Sequence, residues 1–221
     1  MLNEHNIMPF LAIIISSYLI GSLPVAYLIA KTRNVDIFKV GSGNMGGTNV
    51  ARALGLGFGL LTAALDILKG VVAVLIARAI LPDHSISASV VSGLVVIVGH
   101  NWSLFASVIS AVSNGSRFVL KGGKGAAAAF GTLLTFAPIQ TILGMVSLGV
   151  LLVLWKRYVS LGVLAAFAIA IVWIIVLVNQ GRLPMEYTTY ALLMGALIVL
   201  RFRENIDRLL KGTERRLGEP A

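Results

Sequence analysis

The chain has no cysteine among its 221 residues, so neither a disulfide nor a thiolate metal site is open to it. Acids number only nine and histidines three. They are scattered without the spacing that metal ligation needs, so no metal ion and no other cofactor is expected. No serine sits in a Gly-x-Ser-x-Gly elbow, which removes the hydrolase type of activated nucleophile. No Lys or Arg falls within residues 1–8. The first apolar stretch thus lacks the basic flank of a cleaved signal peptide and is expected to remain as a span. Charge is scarce throughout, at 12% of residues, whereas 57% are hydrophobic, above the roughly 45–50% of soluble domains. Such a composition belongs to an integral membrane protein.

Apolar runs near the ~20 residues that cross a bilayer imply an all-α membrane protein of about seven spans. They lie at about 7–30, 55–81, 86–109, 125–136, 139–155, 161–178 and 187–200, with a basic tail over 201–221, all within one domain of residues 1–221. The fourth span is short and rich in small residues. The formal net charge of +9 does not gather on one soluble face, so nucleic acid is not an expected partner; the bilayer is. Apart from Arg78, Arg182 and the intramembrane Lys69, every Lys and Arg falls in the loops after spans one, three and five or in the tail. The positive-inside rule then puts the N-terminus outside, and the C-terminus and the polar loops on the cytoplasmic face of the cytoplasmic (inner) membrane. Trp102, Trp155, Tyr158 and Tyr187 lie near span ends, as interfacial aromatics do.

Three of those loops open a helix with polar chemistry. The first is Gly41-Ser42-Gly43-Asn44-Met45-Gly46-Gly47-Thr48-Asn49-Val50-Ala51-Arg52, in which Thr48-Asn49 reads as a helix start with a side-chain cap. The second is Lys121-Gly122-Gly123-Lys124-Gly125, and the third is Arg157-Tyr158-Val159-Ser160-Leu161-Gly162, with Ser160 as the expected cap of span six. Glycine backbone, helix N-termini and cations together make an anion site, and converging loops would hold more than one phosphate. The second loop is not a Walker A sequence, because Gly125 stands where Ser or Thr is needed. Within span two, Asp66 and Lys69 are three apart and share a helical face. They form either a structural ion pair or part of a reaction centre, since charges inside a span are costly unless paired or used. His100 is equally open as a general base or as a hydrogen-bonded packing residue. The segment from Arg203 to Lys211 reads as an amphipathic interfacial helix. These features fit an enzyme, and also an organic-phosphate or anion transporter, although no internal repeat of the transporter kind is visible.

Taken in order, Gly21-Ser22-Leu23-Pro24, the Gly41 to Arg52 stretch, Asp66-Ile67-Leu68-Lys69-Gly70, Gly99-His100-Asn101, Lys121-Gly122-Gly123-Lys124-Gly125, Arg157-Tyr158-Val159-Ser160-Leu161-Gly162 and Arg203-Glu204-Asn205-Ile206 resemble the bacterial acyl-phosphate:glycerol-3-phosphate acyltransferases. The resemblance runs over nearly the whole chain and implies seven spans and transfer of a fatty acyl group from acyl phosphate to glycerol 3-phosphate. The implied products are 1-acylglycerol 3-phosphate (lysophosphatidic acid) and phosphate, for phospholipid synthesis. It further implies that Ser42, Arg52, Lys124 and Asn205 are catalytic. Gly41, Gly43, Asn44, Gly46, Gly47, Thr48, Asn49, His100, Gly122, Gly123 and Ser160 then contribute to substrate binding. The chain departs from the family pattern at Phe202, where many members have histidine, and in a longer stretch between His100 and Gly122 that includes residues 110–116. The first departure also allows a weakly active, lipid-binding paralogue.

Overall fold

A computed structural model describes residues 4–114 and 117–219. The chain falls into two compact units, one built from residues up to Thr135 and one from Phe136 onward, where the sequence reads as a single domain. Among the described residues the regular structure is helical, with one isolated bridge between Ser103 and Lys121.

The first unit contains α1 (Glu4–Ser22), α2 (Val25–Lys31), α3 (Gly47–Leu54), α4 (Leu56–Ile80), α5 (Ser85–Asn101), α6 (Leu104–Asn114) and α7 (Ala126–Leu133). The second contains α8 (Ile139–Lys156), α9 (Val159–Asn179) and α10 (Glu186–Leu210). Among the described residues five helical stretches are long and apolar enough to cross a membrane: Ile7–Lys31, Leu56–Ile80, Pro82–Asn101, Ile139–Lys156 and Val159–Asn179. The expected fourth span is the 8-residue α7, and the expected seventh lies in α10. That helix does not stop at residue 200 but runs on through the basic segment to Leu210. No Gly or Pro interrupts it there, and Glu204–Arg208 and Asp207–Lys211 pairs at i,i+4 support the extension. The separate interfacial tail helix read from the sequence is therefore the last part of α10.

Glycine seams hold the helices close, as in membranes where apolar burial gives no net drive and small residues let backbones meet. A side chain at Gly21 would strike the Val96 carbonyl, and one at Gly99 the Tyr18 carbonyl, where α1 packs on α5. Gly70 and Gly131 play the same part between α4 and α7, Gly149 and Gly162 between α8 and α9. Ser17 and Ser92 add a buried hydroxyl bond of 2.8 Å across the α1–α5 seam.

Two spans are broken where the sequence looks continuous. Pro24 has no N–H, and α1 stops at Ser22 before α2 resumes at Val25. The carbonyls freed there find side chains: Ser103 Oγ donates to Ser22 O, and Lys69 Nζ donates to Leu23 O at 3.3 Å. The expected third span, 86–109, divides into α5 and α6 at Trp102-Ser103. The reason lies outside the helix. Gly99 O accepts from Ser22 Oγ, His100 O accepts from Gly123 N, and Ser103 N donates to Lys121 O. The C-terminal carbonyls of α5 are thus satisfied by another helix and by the 121–125 loop rather than by a further turn of the same helix. Irregular backbone at membrane depth survives only with such internal partners.

Candidate active site

The first glycine loop is built around Asn49. Its side-chain oxygen accepts from Ser42 N at 3.1 Å, and its amide donates to Val40 O at 3.0 Å and Asn44 O at 3.1 Å. Asn49 is buried, and its polar atoms tie up the loop that carries Ser42. The expected side-chain cap is absent: α3 begins at Gly47 after Gly46, with no side-chain cap bond. The asparagine that looked like a cap closes the loop instead. Gly41 and Gly43 have φ of 60° and 64°, a region that glycine enters without strain. Ser42 is exposed, while Asn44, Gly46 and Gly47 are half-buried and Thr48 is exposed. Arg52 is not at the helix start but in the last turn of α3.

The second loop lies against the first: Met45 N donates to Gly122 O at 3.3 Å. Gly122 and Gly123 are buried over the end of α5, where a Cβ at Gly122 would strike the Asn101 and His100 carbonyls. A Cβ at Gly123 would strike His100 Nε2. Gly125, with φ of 77°, turns the chain into α7. The half-buried Lys124 precedes that turn. Two of the three expected anion-binding loops therefore meet within the first unit, with Ser42 on the first, Lys124 on the second and Arg52 on α3 after the first.

Beneath them lies a buried charged cluster. Lys69 Nζ is 2.9 Å from Asp66 Oδ1, and His100 Nδ1 is 3.6 Å from the same oxygen. His100 is 4% exposed, with Asp66 on one side and Gly123 on the other. It packs into the loop floor between them. Asn101, fully buried beside Gly125, has neither its side-chain oxygen nor its nitrogen hydrogen-bonded among the described residues.

The third loop belongs to the second unit, and here a residue the sequence did not mark takes the centre. Glu214 Oε1 accepts from Ser160 Oγ at 2.8 Å and from Asn205 Nδ2 at 2.6 Å, and its Oε2 accepts from Arg208 Nε at 2.7 Å. Ser160 is not the cap of α9, which starts one residue earlier with no side-chain cap; its hydroxyl is engaged by Glu214. Phe202 is buried, one turn before Asn205 on the same protein-facing stripe of α10. Glu214 follows the helix in an irregular tail, so no periodicity points to it.

A family model described as glycerol-3-phosphate acyltransferase matches residues 11–212. The chain belongs to the glycerol-3-phosphate acyltransferase family. It is 44% identical over 206 residues to a glycerol-3-phosphate acyltransferase of Thermus thermophilus, covering 93% of this chain and 94% of that protein. Identity to that of Halalkalibacterium halodurans is 37% over 208 residues, with 93% and 94% covered. Among solved structures it is similar to PlsY (YgiH), an integral membrane glycerol 3-phosphate acyltransferase. In that protein's glycerol 3-phosphate form the TM-score is 0.79 at 38% identity, over 95% of this chain and 96% of that one. The lysophosphatidic acid form gives a TM-score of 0.78. Membership decides between the enzyme and transporter readings: the chain is an integral membrane acyltransferase.

The floor under the second loop has no room for an added methyl at Gly122 or Gly123. Gly122→Ala and Gly123→Ala are each expected to lower kcat/KM for the acceptor by about 10²-fold, the usual effect of a roughly 1 Å misplacement. Gly144→Ala, whose Cβ meets nothing within 4 Å, is the control and keeps full activity. Steady-state kinetics of the three variants distinguishes these outcomes; equal effects would mean the loop is not under steric constraint.

The Glu214 network makes a separate expectation about pH. Burial alone would raise this carboxyl, but hydrogen bonds from Arg208, Asn205 and Ser160 outweigh it and hold the group below the usual glutamate range. A depressed folded value means the network's stabilisation is complete above the unfolded value and is lost as pH falls through the folded one. The melting temperature is therefore expected to be flat from neutral pH down to the usual carboxylate range and to fall below it. Glu214→Gln keeps the shape and is expected to cost about 2–3 kcal/mol at neutral pH, the scale of lost charge-assisted bonds. It is also expected to flatten the acid limb; an unchanged limb would assign that limb to other carboxylates.

Proposed function

We propose that this enzyme transfers a fatty acyl group from acyl phosphate to glycerol 3-phosphate at the cytoplasmic face of the cell membrane, yielding 1-acylglycerol 3-phosphate and inorganic phosphate. The observation that carries the reading is the backbone bond from Met45 N to Gly122 O, which joins two glycine-rich loops and supports reading them as one anion-binding surface. The charge asymmetry of the loops supports seven crossings with the N-terminus outside. The names of the solved relative's glycerol 3-phosphate and lysophosphatidic acid forms support this acceptor and this product.

In the proposed reaction Arg52, Lys124 and the N–H groups of both loops hold the phosphate of the acyl donor. Ser42 and Lys124 orient glycerol 3-phosphate. The acceptor hydroxyl oxygen attacks the acyl carbonyl carbon, the acyl C–O bond to phosphorus breaks, and its electron pair leaves with the phosphate. The hydroxyl proton passes to a phosphate oxygen of the substrate, since His100 is enclosed by Asp66 and Gly123. Positioning and electrostatic stabilisation of the departing charge then supply the catalysis, with no protein nucleophile. The acyl chain remains among apolar helices.

The test is phosphate release by the purified protein given palmitoyl phosphate, with and without glycerol 3-phosphate. Acceptor-dependent release with lysophosphatidic acid as product is expected. Acceptor-independent release would make it a hydrolase of acyl phosphate, and absence of release with intact fold would reject the donor.

A further inference from the structure

Helix α6 is amphipathic in the wrong sense for water. Its inward residues are small and polar: Ser107 is fully buried, Ser110 nearly so, and Ala106 lies beside them. Its outward stripe is Leu104, Val108 and Val112, spaced by four, with Val112 79% exposed. A helix facing water reverses this arrangement. The inward serines have work: Ser107 Oγ donates to Ser103 O at 2.6 Å and accepts from Lys121 N at 2.9 Å. Further along the chain, Phe118, Val119 and Leu120 stand 56%, 57% and 56% exposed in succession, preceded by Arg117.

Depth can be estimated from the neighbours. The Ser103–Lys121 bridge is tied to Ser22 through Ser103 Oγ. Ser22 lies nine residues before Lys31, where the first span ends, or roughly 13 Å along a helix axis. From that depth α6, with 11 residues, runs roughly 16 Å. The four residues 117–120 can reach roughly 13 Å when extended. Both legs have the length of one leaflet, about half of the ~30 Å hydrocarbon core.

We infer that α6 and residues 117–120 lie in the inner leaflet of the bilayer, with the Leu104, Val108, Val112, Phe118, Val119 and Leu120 side chains in lipid and Arg117 at anionic headgroups. The described residues 110–114 and 117–120, between the expected third and fourth spans, are then membrane-inserted and not part of an aqueous loop. The occupant of this apolar surface is lipid. Cations next to an apolar run are the arrangement that an anionic leaflet attracts, and the surface begins within a span. This inference is independent of the acyl donor and acceptor proposed above.

The absence of cysteine makes the test direct. Nitroxide labels are placed singly at Phe118→Cys, Leu120→Cys and Val112→Cys in the full chain, reconstituted in vesicles of phosphatidylethanolamine and phosphatidylglycerol. Leu151→Cys on the apolar face of α8 is the lipid reference, and Lys211→Cys the aqueous one. Collision with oxygen relative to a water-soluble nickel chelate is read by electron paramagnetic resonance. Labels at 112, 118 and 120 are expected to resemble Leu151→Cys, several-fold above Lys211→Cys in oxygen-to-nickel ratio. Ratios matching Lys211→Cys would overturn the inference. So would shielding from both reagents with spin–spin broadening, which would assign the surface to a second copy of the chain. Three label sites keep the test decisive if one variant fails to fold.

Discussion

Lys124→Ala and Arg52→Ala are each expected to lower acceptor-dependent turnover by on the order of 10²- to 10³-fold, the effect of removing one preorganised donor from a developing anion. Lys124 sits on the second glycine loop and Arg52 in the last turn of α3, which follows the first, and the proposed reaction has no protein nucleophile to share the work. The loss should fall on kcat as well as KM, because the charge that Lys124 and Arg52 meet grows as the phosphate departs. Asn49 closes the first loop, and the Met45 to Gly122 bond joins it to the second. Melting temperature measured beside turnover for each variant separates lost chemistry from lost fold. Lys124→Arg should recover only part of the rate, since a planar fork does not replace a compact ammonium in a narrow loop. Wild-type turnover in either alanine variant would remove these two residues from the reaction.

The spans and the loops were legible for physical reasons, and so were the limits. An apolar run reports that a segment crosses lipid, but not where its backbone breaks. Residues 86–109 read as one span because the partners that interrupt it, Ser22, Lys121 and Gly123, are distant in sequence. The glycine-rich stretches announced close backbone approach, and the structure gives them their neighbours: His100 and Asn101 under the second loop, Val40 and Asn44 around Asn49. Local cap rules failed at Asn49 and Ser160, since both side chains serve tertiary partners. Glu214 was invisible for the same reason. A single acid in an irregular tail carries no pattern, and its meaning comes from Ser160, Asn205 and Arg208 meeting around it.

The largest stability effect is expected at the Asp66–Lys69 pair. Both groups are almost fully buried in α4, 2.9 Å apart, and each has a second neighbour: Leu23 O for Lys69 and His100 for Asp66. Replacing one partner leaves the other as an uncompensated buried charge, which costs about 3–5 kcal/mol. In a unit of this size that corresponds to a fall of roughly 10 °C in melting temperature. Lys69→Met should be the more disruptive of the single changes for the first span, because it also abandons the Leu23 carbonyl at the α1–α2 break. Asp66→Asn should instead act on the loop side, through His100 and the Gly123 it supports. The double variant Asp66→Asn/Lys69→Met removes both charges, so it is expected to melt well above the sum of the single losses. Such non-additivity is the signature of a direct pair. Its activity then answers the question left by the sequence. A double variant that regains stability and retains turnover makes the pair structural. One that folds but stays inactive shows that His100 must be held by a charged Asp66 for the loop above it to work. Additive losses in melting temperature would refute the pair itself.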